Sequence, residues 1–353
     1  MNEIKSLTAL RGLAAMAVVM QHFSATVQLH AAHSIPSLVP HGYLAVDLFF
    51  VLSGFIMAYM YSQDFADQGW RAYPNFLWKR VARIVPLNTA VVLFIVLLGM
   101  LSAVAFGHNP FYASHQLGFD TISNLFMLQG LGIGQNLNAP SWSISTEFAA
   151  YFIFPVLLGF ALGPRWRAVL LWLIALGALL LAILGQPYLS LASNTTLVGL
   201  ARCFAGFTSG LIAYRMYCNE RIRTKLKNEW CIVPIALWLA FWIALKVDFV
   251  AVLAFPLLVL VLACNEGKVS RWLTVEPIYF LGIISFSIYL LHDFLRPLYL
   301  MVLKEVHPEA LQTVPAILLA FFGALLVIPI AAWTYEKIEK PGRLAVNAFR
   351  AKR

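Results

Sequence analysis

Apolar runs of membrane-crossing length recur along the whole chain, separated by short polar segments. We read ten spans, at about 7–29, 43–61, 84–106, 142–162, 168–186, 196–217, 230–246, 248–265, 278–303 and 312–335. The pattern predicts an all-α fold: a polytopic helical bundle. An even number of crossings puts both termini on one side. Lys5, Lys79, Arg80, Arg165, Arg167, the run from Arg221 to Lys227, Lys268, Arg271 and the tail from Lys337 to Arg353 all fall on that side, against only Lys246 and Lys304 opposite. Basic residues collect in cytoplasmic loops, so both termini are expected to be cytoplasmic.

Composition agrees with that frame. Of 353 residues, 61% are hydrophobic and 12% charged, well outside the range of soluble domains. The net charge of +9 follows the topology and does not point to nucleic acid. The first apolar run lacks a small-residue cleavage site, so we expect a retained helix and no signal peptide. Cys203, Cys218, Cys231 and Cys264 lack metal-ligand spacing and lie in or beside apolar runs, where cysteine acts as a small hydrophobe. No disulfide and no metal are expected.

The informative residues are the polar ones inside the runs. Thr8 to Ser24 is apolar except for Arg11 and His22. Eleven residues at about 100° each return a helix to within roughly 20°, so both share one face, separated by roughly 16 Å of rise. Intramembrane ionisable groups are costly and mark function by default, although a histidine that merely bonds a neighbouring helix fits the same pattern. Asp47, Glu147, Arg202, His292, Asp293 and Arg296 fall at a similar depth, roughly 6–16 Å below the outer surface on the ten-span reading. That level points to a polar cavity open to the outside, or to separate ion pairs locking helices together; Asp293 and Arg296, one turn apart, suit the second.

A histidine beside a carboxylate is the usual construction for general-base chemistry. Glu147 is the partner expected from depth, with Asp47 and Asp293 as competitors and His292 as a competing base. No Gly-x-Ser-x-Gly nucleophile motif occurs, so the base would activate a substrate hydroxyl against a ready-made acyl donor. Lys79, Arg80 and Arg83, in the stretch KRVARIVP, would form a phosphate clamp, with Arg80 and Arg83 one turn apart. Positive-inside charge alone also explains them.

The long outer segment 107–141 carries His108, His115, a short helix expected from Asp120 to Gln129, and then Gly130, Gly132 and Gly134, and reads as a flexible lid. Its glycines follow no strand and are not a dinucleotide fingerprint. His30, His33 and His41 around the first outer loop read as solvated histidines rather than a metal site. Asn194-Thr195-Thr196 matches a glycosylation sequon.

Five stretches together resemble the acyltransferase-3 family of integral membrane acyltransferases: Arg11-x10-His22; GYLAVDLFFVLSGF from Gly42 to Phe55; Arg80-Val81-Ala82-Arg83 followed by Pro86; SWSISTEF from Ser141 to Phe148; and the ending YEKIEKP. They occur in the family's order over nearly the whole chain. Ala45-Val46 stands where many members have Gly-Val. The resemblance implies an acyltransferase domain over residues 1–340 with a short basic tail, 341–353. It implies transfer of an acyl group, usually acetyl from acetyl-CoA as co-substrate, to a hydroxyl of a sugar, exopolysaccharide or lipid-linked acceptor at the outer side of a bacterial inner membrane. His22 matches the catalytic histidine, Arg11 its motif partner, and Arg80 and Arg83 the pair linked to acyl-CoA. Direct transfer and an acyl-histidine intermediate both remain open. Trp142 would stack a sugar ring or belong to an interfacial belt; Asp47, Arg202 and His292 would line the acceptor site. The rival class is a proton-coupled transporter or flippase for a lipid-linked saccharide, which also uses buried histidines and carboxylates but has no need of a basic clamp.

Overall fold

A computed structural model describes residues 3–30, 39–109, 111–112, 114, 116–192 and 196–351. His33, His115 and Asn194-Thr195 lie outside the described residues. Among those described the fold is entirely helical, without strands. The long elements are α1 (Lys5–Gln28), α2 (Ala45–Gln68), α3 (Tyr73–Phe106), the short α4 (Leu117–Leu125), α5 (Ser141–Leu162), α6 (Arg165–Ile183) and α7 (Thr196–Tyr217). They continue as α8 (Ile232–Ala244), α9 (Phe255–Cys264), α10 (Glu276–Ile283), α11 (Ser285–Val306) and α12 (Ala316–Thr334). A π-helical turn, Tyr335–Glu339, joins α12 to α13 (Lys340–Ala351), so the stretch read as a tail is helical. Among the described residues, six segments are long and apolar enough to cross a membrane. Two shorter apolar segments, Glu229–Ala244 and Asp248–Cys264, accompany them.

The chain divides into two compact units. One holds residues 1–14, 43–77 and 146–283; the other holds 15–42, 78–145 and 284–353. The first is built on the crossing of α2 and α7. Gly206 and Gly210 let the two backbones meet: a Cβ at Gly210 would lie 2.1 Å from the Val51 carbonyl oxygen. Spacing of small residues by four is how membrane helices approach without a hydrophobic drive between them. Beside this contact, Arg202 on α7 donates to both carboxylate oxygens of Asp47 on α2, at 3.0 and 2.7 Å, and to the carbonyls of Leu191 and Tyr43. Both residues are 3% exposed. Asp47 and Arg202, expected at the acceptor, therefore form a bidentate pair that ties two helices inside this unit. Removing one partner of such a pair strands a buried charge, which typically costs 3–5 kcal/mol. Arg202→Met should lower the melting temperature in detergent strongly, and Asp47→Leu added to it should restore much of the loss. Equal melting of Arg202→Met and wild type would refute this role.

In the second unit the segment after α3 is no loose lid. It folds back along α3. A Cβ at Gly99 would lie 2.1 Å from the Tyr112 ring, and Asn88 donates to the Asn124 carbonyl at 2.9 Å. Asn88 lies eighteen residues before the end of α3, roughly 27 Å of helix rise, close to the thickness of a hydrocarbon core. Non-helical backbone survives at such depth only when its polar groups are matched by protein. The matching is dense. Asp120 accepts from the Gln135 amide and the Ser114 hydroxyl, and Asn124 donates to the carbonyls of Asp120 and Gln135. Ser145 bonds the Met127 carbonyl and accepts from the Gly130 amide. The helix sits inside out: Asp120, Ser123 and Asn124 are buried, while Phe119, Ile122 and Phe126 point outward. The predicted helix Asp120–Gln129 is Leu117–Leu125 instead, because Met127 takes a positive φ of 56° that a helix cannot continue through.

Candidate functional site

The second unit brings His22 of α1 to His292 and Asp293 of α11. The His22 Nδ1 lies 3.6 Å from the Asp293 carboxylate, and Arg296 reaches the same oxygen at 3.0 Å. The two imidazoles meet edge to face, with centroids 4.9 Å apart. The side chains of His22 and Asp293 keep 25% and 13% of their surface exposed, so the pair is reachable, whereas His292 is fully buried. At 3.6 Å the histidine and carboxylate are aligned but not yet hydrogen-bonded; catalytic contacts often tighten only when substrate is bound.

His292 is held in one tautomer. Its Nδ1 is 2.7 Å from the Tyr289 carbonyl, so Nδ1 carries the proton and donates, leaving Nε2 as an acceptor. That Nε2 and the His22 Nδ1 are buried and lack a hydrogen-bond partner, while the Asp293 Oδ1 is held by its ion pair with Arg296. Native proteins match almost all buried polar atoms, so two unmatched nitrogens on facing imidazoles single this spot out.

Several contacts fix α11 here. Asn138 donates to the Leu290 carbonyl at 3.0 Å, the Ser143 and Tyr289 hydroxyls meet at 2.7 Å, and Ser287 donates to the buried Glu339 at 2.7 Å. Phe94 of α3 packs on Phe294. Pro297 has no amide to offer the Asp293 carbonyl, which loosens the helix at the functional turn. The serines of SWSISTEF therefore act as anchors: Ser143 holds α11 and Ser145 holds the folded-back segment. Trp142 is half-buried beside them.

On α3, Lys79 is exposed and Arg80 and Arg83 are half-buried, in the same unit as His22. Arg11 and Glu147 belong to the other unit. Arg11 donates to the Gly282 carbonyl at 3.1 Å, at the end of α10, where α1 and α10 pack so closely that a Cβ at Gly12 would lie 2.4 Å from the Gly282 nitrogen. Glu147 accepts from the Tyr151 hydroxyl, which also meets Ser53. Within its own unit, the carboxylate beside His22 is Asp293. Among the described residues no group of His, Cys, Asp and Glu could hold a metal ion, and the cysteines are free.

The comparisons fit this architecture. The acyltransferase domain of the acyltransferase-3 family matches residues 4–336, and the chain belongs to that family. It is 32% identical over 162 residues to the acyltransferase MdmB of Streptomyces mycarofaciens, covering 43% of this chain and 38% of that protein. It is 24% identical over 169 residues to "Putative O-acetyltransferase SACOL0978" of Staphylococcus aureus (strain COL), covering 45% of this chain and 25% of that protein. The matches thus span well under half the length of these relatives. No solved structure matches.

Proposed function

We propose that this protein transfers an acyl group, acetyl by resemblance to its family, from acyl-CoA on the cytoplasmic side to a hydroxyl of a sugar, exopolysaccharide or lipid-linked acceptor on the outer side of a bacterial inner membrane. The ten-span topology with cytoplasmic termini rests on the charge asymmetry of the loops. Family membership favours the enzyme over the carrier. The observation that carries the chemistry is the approach of His22 to Asp293 beside an acceptor nitrogen of His292.

In the direct route, His22 donates its Nδ1 proton towards Asp293 and presents Nε2 as base. The acceptor hydroxyl oxygen attacks the thioester carbonyl while Nε2 takes its proton. The tetrahedral intermediate collapses, the carbon–sulfur bond breaks, and the thiolate leaves to be protonated by the imidazolium. An ester and free CoA result. Asp293 stabilises the imidazolium between the two proton transfers, and Arg296 holds Asp293 in an ion pair. The buried His292 ring backs His22 edge to face. Trp142 supplies a flat ring on which a sugar could stack.

Acyl-CoA would be gripped through its phosphates by Lys79, Arg80 and Arg83. Arg80→Ala and Arg83→Ala should each weaken acyl-CoA binding by about 1.5–3 kcal/mol, the scale of a charged hydrogen bond. Arg83→Lys should rescue only in part, since an ammonium lacks the bidentate fork. Titration calorimetry with acetyl-CoA on the detergent-solubilised protein checks this, and unchanged affinity in all three variants would leave the residues as topology signals. The function itself is tested by incubating membranes with radiolabelled acetyl-CoA. Label in saccharide or glycolipid that depends on this protein supports the proposal; free CoA release without any labelled acceptor counts against it.

A further inference from the structure

Helix α13 packs on the start of α3 in an antiparallel arrangement. The Trp78 indole Nε1 donates to the Val346 carbonyl at 3.2 Å, and its ring stacks on Phe349 with centroids 6.5 Å apart. Eight residues further along α3, Pro86 meets Gly342, where a Cβ would lie 2.6 Å from the Pro86 Cβ. Higher numbers on one helix thus meet lower numbers on the other.

That pairing fixes which side chains share a flank. At about 100° per residue, Trp78, Ala82 and Pro86 lie on the face of α3 towards α13, and Lys79 and Arg83 lie roughly 55–95° further round. On α13, Gly342, Val346 and Phe349 face α3, and Arg343 and Arg350 lie roughly 75–95° further round. Two right-handed helices packed antiparallel turn in opposite senses when seen down one axis. Equal offsets from their facing lines therefore fall on the same side. Arg343 and Arg350 share a side with Lys79 and Arg83. Their heights also agree. Arg343 follows Gly342, whose contact Pro86 is one turn beyond Arg83, and Arg350 follows Phe349, whose contact Trp78 precedes Lys79.

Two charged residues at the start of the helix and in the turn before it are paired locally. Lys340 pairs with Glu336 at 3.0 Å, and Glu339 accepts from Ser287. Leu344 is more than half exposed. Arg343 and Arg350 are half-buried.

We infer that α13 is the second wall of a polyphosphate site, in which Arg343 and Arg350 join Lys79 and Arg83 around the phosphates of a nucleotide-bearing acyl donor. The inference rests on the donor reading above and extends it to a helix outside the sequence motifs that carried it. CoA suits such a site because it has a pyrophosphate and a separate 3′-phosphate. Two cations on each of two helices can hold both groups at once, and arginine forks do so bidentately.

The test is calorimetric titration of the full chain, in an uncharged detergent, with CoA and with 3′-dephospho-CoA. Arg343→Gln and Arg350→Gln should each weaken CoA about fivefold to tenfold, the scale of a partly solvated charged contact. At least one should also narrow the preference for CoA over 3′-dephospho-CoA. Arg→Lys at each position should recover part of the affinity, and serves as the reading variant should a glutamine variant melt early. Unchanged CoA affinity in both variants while Arg83→Ala weakens it would overturn the role of α13 and leave the donor reading standing. Unchanged affinity in every variant, Arg83→Ala included, would remove the donor reading and this inference with it. Loss of co-purifying phosphatidylglycerol by native mass spectrometry, with CoA affinity intact, would make the occupant a lipid phosphate and overturn the inference.

Discussion

His22→Ala should lower acyl transfer by about 10²–10⁴-fold, the usual worth of a general base, while the protein still inserts and keeps its melting temperature. His22 lies on α1 with a quarter of its side chain exposed, so truncating it removes little packing. Its ring is the reachable imidazole of the pair, since His292 is fully buried with Nδ1 committed to the Tyr289 carbonyl. Acyl-CoA affinity should stay within about twofold, because no donor phosphate contact is removed. Activity above about a tenth of wild type in the radiolabel assay would dismiss His22 as base. Full loss in His292→Ala with little in His22→Ala would hand that role to its neighbour.

Asp293→Asn should cost nearly as much in kcat, about 10²–10³-fold, with KM for acyl-CoA little changed. The amide is isosteric, so α11 keeps its packing, but it cannot stabilise an imidazolium and it can favour the wrong tautomer of His22. The chemical role is separated from the structural one by a cycle. If His22 and Asp293 act as one unit, the double variant loses little more than His22→Ala alone. Arg296→Gln provides a control, since it loosens the ion pair but leaves the carboxylate in place. Glu147→Gln is the rival, because the sequence placed Glu147 at the same depth. Its hydroxyl contact with Tyr151 predicts a modest effect. Harmless Asp293→Asn together with crippling Glu147→Gln would transfer the orienting role to Glu147.

Depth along a helix nominates Glu147 on height alone. Counting residues from a helix end gives height above a membrane face, with no information on azimuth or on which helices are neighbours. Asp293 was already in the polar layer, but its one-turn spacing from Arg296 made it look self-sufficient. A carboxylate has two oxygens and several lone pairs, so the same group can salt-bridge Arg296 and still face His22. Asp47 and Arg202 show the converse. They sit at the right height, yet their polar atoms are spent on each other across α2 and α7.

The folded-back segment after α3 was hidden for a different reason. Its composition of glycine, asparagine and serine is that of any exposed loop. Only contacts far apart in sequence, such as Asn88 with Asn124 and Gly130 with Ser145, reveal that the polar residues face inward. The apolar Phe119, Ile122 and Phe126 then face out, the reverse of a soluble helix.

The sequence by itself determined the class of fold, the apolar segments and the family, and it singled out His22 as the candidate base. Each of these is written locally, because lipid tolerates few ionisable groups and backbone hydrogen bonding within a span is satisfied by the span itself. The tertiary structure alone decided the partner of His22, the tautomer of His292, the buried pairing of Asp47 with Arg202 and the seating of α13 against Trp78 and Pro86 of α3. Each depends on the rotation of one helix against another. That rotation is set by close approaches of small residues and by single hydrogen bonds between distant positions, which no count along one segment records.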